Sequence, residues 1–195
     1  NAITKLFIES YKLSPIEISS QIALLAPTGR AAKKLSLSTH LPSSTIHRFL
    51  KWNKDTNDFQ INENNKNHQK LIIVDDFEYF GELMDADNEL YRYELGKLMD
   101  SFKQFAVEHN IPIVLVMSLP PAEDYDFPGL EDFKKNLVIP YKADMVLFLH
   151  RDRLKDECKY IDTQLIISKH VNHATYDIPL RFYPSTGYFA SKSDD

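Results

Sequence analysis

Two rhythms of apolar and polar positions run along the chain. Short apolar runs without charge, at residues 22–26 (IALLA), 71–74 (LIIV) and 112–117 (PIVLVM), read as strands buried on both faces, as in a parallel sheet. Between them the spacing changes to three and four. Residues 2–11 place Ile3, Leu6, Phe7 and Tyr11 on one helical side, residues 30–38 read as a basic helix, and 89–109 carry Leu90, Tyr93, Leu95, Leu98, Phe102, Phe105 and Ala106. Asn110 and Pro112 end that long helix. Residues 12–20 hold a proline and several serines and read as a connector. In 43–50 (SSTIHRFL) the hydroxyls can cap a helix whose apolar side includes Ile46, Phe49 and Leu50. The Asn-rich stretch 53–70 predicts a loop or weak hairpin, 119–129 a surface loop, and 130–137 a short helix. Two more strands are expected at 144–150 and 163–169, and 176–191 should close the chain as a β-ribbon at a sheet edge. Strands alternating with helices predict an α/β, doubly wound sheet, and no internal repeat is present.

Composition bounds the function. With 195 residues, 43% hydrophobic and 26% charged, the chain reads as a single domain with a real core. No run reaches the about 18 apolar residues of a membrane span, and the first residues lack a signal-peptide order. A cytoplasmic protein without a membrane partner is expected. The single cysteine, Cys158, cannot close an internal disulfide and reads as an incidental thiol. Net charge is −5, so any DNA contact must be local. The candidate patch is Arg30, Lys33 and Lys34, with Arg48 and Lys51 further on. A phosphate-cradling loop of the form G-x-x-x-x-G-K-[ST] is not found around any of the five glycines.

Motif order adds a resemblance. The segments NAITKLF, APTGRAAKKL, STIHRFL and LIIVDD, within residues 1–75, resemble ATP-dependent DNA helicases of the RecD type. From residue 71 to 190, LIIVDD, SFKQFAVEHNIPIVLVMSLP, LEDFKKN, KADMVLFLHRDR and QLIISKHVN resemble the ATPase domain of DnaB-type replicative helicases. The two meet near residues 71–76 and suggest a composite chain, 1–75 RecD-like and 76–195 DnaB-like, within one RecA-like domain. The resemblance implies a P-loop NTPase core, mainly a parallel sheet with helices on both faces, from whose sequence the phosphate-loop strand is absent. That strand would lie between those at 112–117 and 144–150. Each backbone group left unpaired there would cost about 1–3 kcal/mol. The expectation is therefore that upstream residues, another strand order or another chain makes up the difference.

The resemblance also assigns roles. LIIVDD is the Walker B strand, with Asp75 the Mg²⁺-side acid and Asp76 the base. The RecD family has Glu at the second position, and the shorter Asp76 predicts slower hydrolysis. Ser118 falls at the nucleotide-sensing strand end, where the DnaB family has Ser-Gln and this chain Met117-Ser118. Lys169 matches the lysine of a Lys-x-Arg finger, whose arginine is replaced by Val171. Thr28, Gly29, Arg30, Lys33 and His47 fall at single-stranded DNA contacts. The implied cofactors are ATP and Mg²⁺, and the implied partners are single-stranded DNA and further copies of the chain. HRD at 150–152 lacks the rest of a kinase catalytic loop, and His170 and His173 have no third zinc ligand in sight. The competing expectation is a non-catalytic chimeric or designed α/β domain.

Overall fold

A computed structural model of the chain describes residues 4, 8, 10–53, 58–59, 69–79, 89–119, 127–151 and 159–192. Cys158, Asp152, most of the Asn-rich stretch and the middle of the loop after Ser118 lie outside them. The chain divides into two compact units, one running to Ser118 and one beginning at Leu119.

In the first unit, helix α1 (Pro15–Gln21) occupies the predicted connector. Its start is a capping box, in which Ser14 Oγ accepts from the Glu17 N–H, and the Glu17 carboxylate accepts from the Ser14 N–H at 3.0 Å. The Ser-Pro-Ile-Glu order carries this signal, which the loop-like composition of residues 12–20 masks. Strand β1 (Ile22–Ala26) follows, buried at all five positions. Helix α2 (Gly29–Thr39) starts at Thr28 and ends where His40 turns to φ +58. Strand β2 (Ser43–Thr45) then pairs with β1 before the four-residue helix α3 (Ile46–Phe49). The hydroxyl-rich SST was expected only to cap. It forms a strand as well, because Ser43 and Ser44 lie alongside Leu24 and Leu25. Backbone pairing of β3 (Trp52–Asn53) with β4 (Asp58–Phe59) makes a two-residue hairpin.

Strand β5 (Leu71–Val74) is fully buried between β1 and β6 (Ile113–Leu115), giving a parallel sheet of order β2-β1-β5-β6. Parallel neighbours need long crossovers, and helix α4 (Glu89–His109) provides the one between β5 and β6. It buries Tyr91, Leu95, Leu98, Phe102 and Phe105, a stripe at spacing four, three, four, three. Leu90 and Tyr93 fall off that stripe and are 55% and 61% exposed, contrary to the sequence reading. Ile22, Leu24, Leu35, Leu71 and Ile73 form one core cluster. The chain is thus an α/β protein with a mostly parallel core sheet flanked by helices on both faces, consistent with the RecA-like class.

The second unit is an antiparallel meander. A 3₁₀ segment (Leu130–Asn136) and helix α5 (Val138–Lys142) precede strands β7 (Met145–Arg151), β8 (Ile161–His170), β9 (Asp177–Tyr183) and β10 (Tyr188–Ser191), hydrogen-bonded in chain order. Val146, Phe148 and Ile166 pack under Leu119, Leu130, Phe133 and Ala143. The terminal ribbon is at the sheet edge, as expected. Among the described residues, β6 pairs with β5 alone and β7 with β8 alone. Each of the two strands expected to flank the phosphate-loop strand therefore ends its own sheet.

Candidate functional site

Parallel registers bring three strand ends to one edge of the first unit. Ala26 lies opposite Thr45 and Leu25 opposite Val74, so the chain leaves β1, β2 and β5 on the same side. Open α/β sheets bind ligands at this carboxyl edge.

Beyond β1 stands the PTGR turn. Thr28 is extended and exposed, and its Oγ1 accepts from the Ala31 N–H at 3.2 Å, capping α2. A Cβ on Gly29 would meet nothing within 4 Å, so the protein's own packing does not demand glycine there. The space is open to a ligand. Arg30, Lys33 and Lys34 are all exposed. A cleft of about 350 Å³ lies beside them, with Gly29 and Lys33 on one wall and Ser43, Ser44, Thr45 and Arg48 on the other. Ser43 Oγ donates to the Ala32 carbonyl and fixes β2 against α2. Thr45 Oγ1 accepts from the Arg48 N–H at 3.2 Å. His47 is exposed, yet the surrounding protein desolvates its ring and holds its pKa below the usual histidine range. Ser36, Ser43, Ser44 and Thr45 are polar lining residues that sequence reasoning misses, the last three because a capping role accounts for them locally.

Beyond β5 come the two acids. The Asp75 N–H still donates to Leu25 O at 2.9 Å, so its backbone continues the ladder. Asp76 breaks it at φ +52, a left-handed conformation that aspartate tolerates better than most residues. The reversal drives Phe77 into the core, where it is 1% exposed and its ring lies 6.2 Å from that of Phe102. Both carboxylates are left half-buried at the sheet edge. A 3₁₀ turn (Phe77–Tyr79) follows, and Glu78 Oε2 is buried there without a hydrogen-bond partner among the described residues. Ser118 lies exposed past β6, on the edge to which Val74 and Leu115 lead in register.

Thr28, Gly29, Arg30, Lys33, His47, Asp75, Asp76 and Ser118 thus belong to one unit. Lys169 belongs to the other. Its Nζ donates to the carbonyls of Pro140 and Tyr141, both at 2.8 Å, at the end of α5. His170 and His173 stand edge to face at 4.5 Å, and His170 Nδ1 accepts from the Asn172 N–H. No group of three His, Cys, Asp or Glu side chains among the described residues could hold a metal by itself.

Known proteins resemble this chain over most of its length. The profile of the DnaB-like helicase C terminal domain matches residues 46–191, and that of an AAA domain matches residues 1–87. The replicative DNA helicase DnaB of Treponema pallidum (strain Nichols) is 36% identical over 126 residues, covering 64% of this chain and 27% of that protein. DnaB of Mycoplasma genitalium is 29% identical over 143 residues, 68% of this chain and 31% of that protein. The chain therefore spans less than a third of the length of these relatives. Among solved structures, one ATPase domain superposes with a TM-score of 0.58 at 13% identity, over 90% of this chain and 77% of that one. A DnaB-like replicative helicase solved for its interactions with primase gives 0.56 at 14%, over 89% and 52%. At such identities the likeness is one of fold. No helix among the described residues is long and apolar enough to cross a membrane.

Proposed function

Because the chain belongs to the DnaB-like helicase C terminal domain family, we propose that it is a helicase-type ATPase core that couples ATP to single-stranded DNA. The observation that carries this reading is the shared carboxyl edge, where β5 delivers Asp75 and Asp76 and β1 delivers the basic turn. In this proposal the whole chain acts as one RecA-like domain of a cytoplasmic protein that assembles with further copies of itself. The RecD-like identity of residues 1–75 and a composite origin belong to the same proposal. They rest on the order of the motifs in the sequence.

Mg²⁺ on nucleotide is held by one or two carboxylates plus phosphate oxygens and waters, and it neutralises charge between the outer phosphates. A half-buried Asp75 at a strand end fits that donor set, with Asp76 beside it as base and Ser118 on the nucleotide side. The phosphates themselves find no glycine cradle in the 195 residues. Thr28, Gly29, Arg30 and Lys33 present hydroxyl, backbone and cationic groups to a DNA backbone, and His47 borders them. Lys169 is the finger lysine of this reading.

The test is equilibrium binding of MgATP with and without an oligothymidylate of 20 nucleotides. Saturable binding that tightens with the oligonucleotide, and weakens by about tenfold in Asp75→Asn, is the expected result. No saturable binding at millimolar MgATP would overturn it. That outcome would favour the second reading, a non-catalytic α/β module. DNA contact is tested apart from nucleotide. Neutralising Arg30, Lys33 and Lys34 together should flatten the salt dependence of oligonucleotide binding by about two units of slope. An unchanged slope would remove the patch from the site.

A further inference from the structure

The second unit carries a row of three tyrosines across its sheet. Tyr183 on β9 lies in register with Tyr188 on β10, and Tyr160, just ahead of β8, falls opposite Tyr183 because Ile161 pairs with Phe182. The rings run perpendicular to the strands, with centroids 6.1 and 6.4 Å apart. Tyr160 is 40% and Tyr188 63% exposed. The Arg181 guanidinium sits 4.8 Å from the Tyr160 ring centroid and stiffens that end of the row. Lys192 reaches Asp162 at 3.3 Å, through a pair in which both side chains are about half exposed. Among the described residues, Arg181 and Lys192 bring cations to the face of this row, and Asp162 is the carboxylate beside Lys192.

We propose that this tyrosine row is a second contact for single-stranded DNA, separate from the turn at Thr28–Arg30. Flat rings accept bases of any sequence, while flanking cations accept the backbone. The ring spacing is nearly twice the about 3.4 Å rise per nucleotide of a duplex strand, which suits one splayed base per ring. Lys192 can exchange its exposed carboxylate partner for a phosphate at little cost. Charge selects this occupant over a proline-rich peptide, which would use the rings and leave the cations without a role. The choice of DNA over RNA rests on the helicase reading; the stacking does not.

The experiment uses the full chain and 12-nucleotide oligothymidylate or oligouridylate carrying a fluorophore, with a matching 5-iodouracil probe for photocrosslinking. Adducts are expected on peptides that contain Tyr160 or Tyr188. The Tyr160→Ser/Tyr188→Ser double variant should bind about fivefold or more weakly for each ring lost. Tyr160→Phe/Tyr188→Phe should bind like the parent, because stacking does not use the hydroxyl, and this pair controls for folding. Adducts at these tyrosines should survive neutralisation of Arg30, Lys33 and Lys34, which separates this proposal from the first contact. Adducts confined to residues 28–51, or loss of affinity in the phenylalanine variant, would overturn it. So would decaproline binding that displaces the oligonucleotide. Binding of oligouridylate alone would overturn the assignment to DNA.

Discussion

Protonating His47 is costlier in the folded chain than in the unfolded one, because the surrounding protein desolvates the imidazolium. The folded state therefore binds this proton less readily, and stability rises with pH through the window just below the usual value of 6.5. The contribution is complete above 6.5 and is lost as pH falls towards the depressed folded value. Urea midpoints measured at pH 7.5 and 5.5 should draw closer together in His47→Gln than in the parent; an equal separation would contradict the shift. Lys169 raises a different issue at the same scale. Its ammonium caps the last carbonyls of α5, a charge-assisted arrangement where the helix dipole favours a cation. Lys169→Met should cost about 1–3 kcal/mol of stability by denaturant titration. A finger lysine without this structural duty would instead lose nucleotide turnover at unchanged stability.

Elements differed in how openly the sequence declared them. Strands β1 and β5 were legible because a strand buried on both faces must be apolar throughout, and α4 because 21 residues repeat its stripe several times over. Leu95 lies in the middle of that stripe at 1% exposure, and Leu95→Ala should cost about 2–5 kcal/mol, measured as a lowered urea midpoint. Short polar elements were not legible. Helix α1 depends on one reciprocal cap, and β2 on a partner strand 19 residues away, Leu24 to Ser43. Neither carries the hydrophobic periodicity that pattern reading uses. The acids and the basic turn could be found because their residue types are chemically specific. The serine wall of the cleft and the engagement of Lys169 could not, since both depend on which backbone lies opposite.

For the molecule as a whole, order along the chain and adjacency in space disagree in one unit and agree in the other. In the parallel sheet Ile22 finds Leu71, 49 residues on, and Ile72 finds Ile113, 41 residues on. In the meander Tyr183 meets Tyr188 after five. Closing long loops costs entropy before any pairing rewards it, whereas short loops close in well under a microsecond. The chain should thus acquire its structure at two speeds. Pulsed hydrogen exchange during refolding should protect amides of residues 177–183 and 188–191 ahead of those of 22–26 and 71–74. The carboxyl edge that gathers the acids and the basic turn would then be the last part of the protein to exist, and a chain caught early in refolding would hold the tyrosine row without the strand that carries Asp75 and Asp76.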